Sequence, residues 1–71
     1  MAAKVKKNYV VVNRDGRIIR KAPDKFAEPI IAVKKGEKYL YLNEMKNCWY
    51  KVRVNRKEGW IHSTGGSIRE M

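Results

Sequence analysis

Few residues in this chain have the type and spacing to do chemistry, and most of those sit in one short stretch. Trp49, Lys51 and Arg53 alternate along Trp49 to Val54, and Trp60 follows a short turn later. Aromatic rings interleaved with cations can stack on bases or apolar side chains while pairing with anions. Phe26, isolated between two prolines, is a further candidate contact. Nucleophilic chemistry has less to work with. Cys48 is the single cysteine and His62 the single histidine, with no third group spaced to orient them. One cysteine excludes a disulfide framework and a Cys-rich zinc site. His62 reads as a structural hydrogen-bonding residue, not a metal ligand. Asp15, Asp24, Glu28, Glu37, Glu44, Glu58 and Glu70 fall in turns, loops or the tail, never two on one strand face. That argues against a paired general acid and base. No phosphate-cradling loop is present. The expectation is a protein without enzymatic activity, cofactor or metal.

Those candidates must be held by short strands. Asn8–Asn13 is β-branched and aromatic, Asn13–Gly16 is a turn, and Arg17–Lys21 is a second strand. Ala22–Pro29 holds both prolines and reads as a long loop. Ile30–Val33, Lys38–Leu42, Trp49–Val54 and Gly59–Ile61 follow as strands, with turns at Asn43–Asn47 and Asn55–Glu58. In Trp49–Val54 the alternation sends Tyr50, Val52 and Val54 to one face and Trp49, Lys51 and Arg53 to the other. No window carries a sustained helical period. The expected core is Val10, Val12, Ile19, Ile31, Val33, Tyr39, Tyr41, Tyr50, Val52 and Ile61. Five or six short strands mean a small barrel or a pair of packed sheets, and the chain divides into a basic N-terminal segment at 1–7, this β domain at 8–64 and a C-terminal tail at 65–71, loosened by Gly65 and Gly66.

With 71 residues there is room for one domain. Hydrophobic residues make up 44% of the chain, too many for a disordered basic tail. Seventeen Lys and Arg against seven Asp and Glu give a formal net charge of +10. That exceeds the magnitude of about 2–8 that solubility asks of a small domain. Such a field attracts acidic proteins, nucleic acid or anionic wall polymers alike. No apolar stretch is long enough to cross a membrane or serve as a secretory leader, so the chain as given reads as cytoplasmic. Removal of a leader peptide would make it an exported protein.

Several pieces in order carry a resemblance. They are Arg20-x-x-Pro23, Ile30-Ile31-x-Val33-x-Lys35-Gly36, Trp49-Tyr50-Lys51-Val52 and Gly59-Trp60-Ile61-His62-Ser63. The chain resembles the bacterial SH3 (SH3b) domain family over roughly Val10 to Ser63. It departs from the family pattern at Ala22, where a glycine is usual, and at Arg17, where a leucine is usual. Thr64-Gly65-Gly66 stands where a tyrosine commonly follows, which points away from proline-rich peptides. The resemblance implies an all-β fold, a small SH3-like barrel of five to six short antiparallel strands. It also implies a non-enzymatic binding module. The expected partner is an acidic protein or peptide, met through Trp49, Trp60, Lys51, Arg53 and Phe26. The alternatives are nucleic acid on the same basic face, or peptidoglycan or an anionic wall polymer.

Overall fold

The computed structural model describes residues 7–70. Of the N-terminal segment, only Lys7 is among them. Seven strands form one antiparallel sheet: β1 (Asn8–Val12), β2 (Arg17–Arg20), β3 (Pro29–Val33), β4 (Lys38–Lys46), β5 (Trp49–Val54), β6 (Lys57–His62) and β7 (Gly66–Glu70). A 3-10 turn, Ser63–Gly65, separates β6 from β7. The sheet order is β3-β2-β6-β5-β4-β1-β7. Backbone bonds also tie turns to strand ends. Gly16 N–H donates to the Val33 carbonyl at 3.0 Å, and Gly36 N–H to the Val12 carbonyl at 2.8 Å. Asn13 N–H donates to the Gly65 carbonyl at 3.0 Å.

Alternation along the strands builds the core. Val10, Val12, Ile19, Val33, Val52, Val54 and Ile61 form one buried cluster, with Ile30, Tyr39, Tyr41 and Tyr50 packed against it. Tyr41 and Tyr50 meet edge to face with ring centroids 5.6 Å apart. Ile31, expected in the core, is 37% exposed, and Ile30 takes the core contact instead. The cause is a register shift. Ile19 pairs with Ile31 but Arg20 pairs with Pro29, so one extra residue of β3 upsets the alternation. Pro29 opens an edge strand, where its missing N–H breaks no ladder.

The expected tail is a strand. Gly66 to Glu70 pairs residue by residue with Val12 to Asn8. A Cβ at Gly66 would collide with Val10 Cγ1, so the glycine marks a close approach of two strands, not a loosening. The sequence therefore builds seven strands where five or six were expected, and the seventh is the one without a local signal.

The β4–β5 hairpin turns later than expected, and the β5–β6 turn starts where expected but is shorter. Lys46 pairs with Trp49 and Val54 with Lys57, which leaves Asn47-Cys48 and Asn55-Arg56 as two-residue loops. All four loop residues have positive φ, between 48° and 70°, as a type I′ turn demands. Asn tolerates that region; Cys48 and Arg56 pay a steric penalty there. Cys48→Gly is therefore expected to raise stability by about 0.5–1 kcal/mol, net of glycine's greater freedom in the unfolded chain. A urea midpoint that stays put or falls in this variant would show that the turn is not strained at Cys48.

Candidate binding surface

β5 and β6 bring four of the five expected contact residues onto one outward face. Their register sets Lys51 opposite Trp60, Trp49 opposite His62 and Arg53 opposite Glu58. Arg20 of β2 lies opposite Trp60 on the other side. The faces are as the alternation predicts, but the two indoles are covered. Trp49 is 7% exposed and Trp60 8%, yet neither belongs to the core cluster. Each is covered on the outer side of the sheet, Trp49 against His62 and Trp60 near the Lys51 ammonium. His62 meets Trp49 edge to face at 5.1 Å. Its Nδ1 lies 2.8 Å from Thr64 Oγ1 and accepts the Thr64 N–H at 3.2 Å, capping the 3-10 turn.

Lys51 is held by its neighbours. Its ammonium lies 3.2 Å from Glu58 Oε1, 3.5 Å from Glu44 Oε1 and 5.8 Å from the centre of the Trp60 ring. The hydrogen bond to Glu58 and the attraction of Glu44 raise its pKa above the ordinary lysine value, against the opposing effect of burial. Glu44 reaches it because β4 is irregular. The register shifts between Tyr41 and Met45, and Asn43 there has φ 60°. A turn at Asn43–Asn47 would not have placed Glu44 beside β5, so the sequence reading missed this partner. Both carboxylates are more than half exposed. Lys51→Met is accordingly expected to change stability by less than about 1 kcal/mol, as measured by thermal unfolding at low and high salt. A larger, salt-sensitive loss would reveal a stronger network than these geometries support.

Phe26 lies apart from this group. It is 83% exposed near the tip of the loop between β2 and β3. That loop is tied internally. Lys21 N–H donates to the Glu28 carbonyl at 2.9 Å, and Arg20 Nη1 to the Ala27 carbonyl at 2.9 Å. Asp24 accepts the Phe26 N–H on Oδ1 and the Ala27 N–H on its carbonyl, each at 3.0 Å. Lys25 sits over the Phe26 ring at 5.1 Å. The two legs of the loop wall a cleft of about 440 Å³, lined by Lys21, Glu28, Pro29, Ile30, Lys57 and Glu58. Lys21 and Glu28, both in that lining, form a solvent-exposed ion pair at 3.5 Å. Arg20, which the sequence offered as part of the Arg20-x-x-Pro23 piece and not as a contact residue, braces this loop from beside Trp60.

Among the described residues no group of three or more His, Cys, Asp or Glu side chains is placed to hold a metal ion. No helix among them is long and apolar enough to cross a membrane. The antiparallel strands, the 3-10 turn before the last of them and the valine-rich interior define a small SH3-like barrel. The family model of the bacterial SH3 domain matches residues 15–67, about three quarters of the chain, and the protein belongs to that family. No curated protein and no solved structure matches the chain. Domains of this family are generally binding modules, with partners such as peptidoglycan or proteins.

Proposed function

We propose that this domain is a non-catalytic module that recognises an acidic protein or peptide segment, with Phe26 as its apolar anchor. The observation that carries this reading is Phe26 itself, an almost fully exposed aromatic on a loop tied by its own hydrogen bonds. An ordered loop loses little entropy on binding, and a large aromatic can contribute much of an interface's energy. The cleft offers Ile30 and Pro29 to an apolar side chain and Lys57 to a carboxylate, with Lys21 already paired to Glu28. Trp60 and Lys51 support the cleft through Glu58, which lines it and pairs with Lys51. Trp49 contributes packing, and Arg53 adds charge from the next row of the sheet.

The burial of both tryptophans favours a peptide over single-stranded nucleic acid, because stacked bases need open aromatic faces. The test is a pull-down with the tagged full chain from cell extract, run beside nucleic-acid probes and purified peptidoglycan. The expected result is one dominant protein partner, released by salt. Retention of oligonucleotide with a steep salt slope, or of peptidoglycan alone, would overturn the protein reading.

A further inference from the structure

A second surface runs across β5, β4, β1 and β7, away from the Phe26 loop and sharing only Arg53 with the face described above. The pairings of β5, β4, β1 and β7 place Arg53, Leu40, Tyr9 and Arg69 in one continuous row across four strands. The next row along holds Lys38, Val11 and Ser67. These residues face outward, because Val10 and Val52, which alternate with them, are fully buried on the inner side. Tyr9, Val11 and Leu40 are half-buried, while Arg53, Arg69 and Lys38 are exposed. The row thus presents an apolar centre with cations at its ends, spaced on the order of 14 Å along the sheet at about 4.8 Å per strand. Glu58, opposite Arg53, is already engaged by Lys51, and none of the three cations has a carboxylate ion partner among the described residues.

We propose that this wall docks an acidic segment of a partner protein whose apolar side chains cover Leu40, Val11 and Tyr9. Charge decides the class of occupant. A second copy of this chain would bring a net charge of +10 against a cationic surface. Residues 1–7 hold Lys4, Lys6 and Lys7 and no carboxylate, a composition of the wrong sign for this surface. Nucleic acid would satisfy the cations but leave the aliphatic centre facing phosphates and sugars, with one aromatic to stack on. An acidic segment studded with leucine or phenylalanine satisfies both parts.

The test is titration of the isotope-labelled full chain, followed by amide chemical shifts, with three probes. These are a short synthetic peptide alternating Glu with Leu and Phe, a polyglutamate of equal length, and oligothymidylate. The first peptide is expected to shift Tyr9, Leu40, Arg53 and Arg69, and to bind this wall more tightly than the other two probes. Leu40→Ser and the exposed-site variant Arg69→Glu should each weaken that binding about tenfold or more. The proposal falls on any of three outcomes: no shift at millimolar peptide, shifts confined to the loop at 21–28, or equal binding of polyglutamate or oligothymidylate. Failure here leaves the Phe26 reading standing, since that reading is probed by a different variant.

Discussion

Gly59→Ala is expected to cost about 2–3 kcal/mol, and Gly59→Val to leave the protein largely unfolded. Gly59 lies on the inner side of β6, opposite Val52. A Cβ placed there would run into Ile19 Cγ2, and would lie 3.0 Å from Ile30 Cδ1 and 3.4 Å from the Arg20 carbonyl oxygen. Ile19 is fully buried, so it has no free space to turn into. The Arg20 oxygen is at ordinary contact distance, so the cost falls on Ile19, whose branched methyl is held close to the β2 backbone. A chain of this length is stable by roughly 4–10 kcal/mol, at about 0.05–0.15 kcal/mol per residue. The alanine variant therefore spends a large part of the margin and should melt roughly 10–20 °C lower. Trp49 and Trp60, covered on the outer side of the sheet, provide a fluorescence signal for urea unfolding. Coincident curves for Gly59→Ala and the parent would show that Ile19 can give way at little cost.

Phe26→Ala should leave that unfolding curve almost untouched and still cost binding about 30-fold, or roughly 2 kcal/mol. The ring is 83% exposed and its known contact is the Lys25 ammonium, so the folded state loses little when it goes. A bound partner would lose the apolar contact and the cover it gives to neighbouring polar groups. Calorimetric titration of the partner recovered by pull-down measures this directly. Equal affinity for the variant and the parent would remove the loop from the binding site. An accompanying loss of stability would mean that Phe26 packs in solution in a way its exposure here contradicts.

The strands were legible where neighbouring residues alternate. Trp49 to Val54 gives both faces correctly, with Val52 and Val54 inward and Lys51 and Arg53 outward. Alternation names a face but not what lies over it. Trp49 and Trp60 sit on the outward face and are covered all the same. The pairing of Lys51 with Glu44 depends on an irregularity in another strand, which no local pattern around Lys51 can announce. Ile30 and Ile31 are equivalent by composition; a one-residue register shift against β2 decides which of them turns inward. Gly66–Glu70 has one apolar side chain, Ile68, so its strand is specified by β1 and not by itself. Phe26 was legible as an exposed aromatic because it stands in a loop fenced by prolines. The hydrogen bonds that order that loop were not.

The pairing of β1 with β7 joins the two ends of the described chain side by side. It also sets an order on folding. β4, β5 and β6 are sequential hairpins and can zip from local turns, but β1 must wait for the last residues of the domain to be made before its outer edge is covered. Closing so long a loop carries an entropic cost that only the completed pairing offsets. A nascent chain cut short before Gly66 therefore shows an open β1 edge, a template for pairing with other chains. With Asn8 and Glu70 paired, a circular permutant opened at Asn55-Arg56, with a linker bridging β7 to β1, keeps every strand pairing except that one hairpin turn.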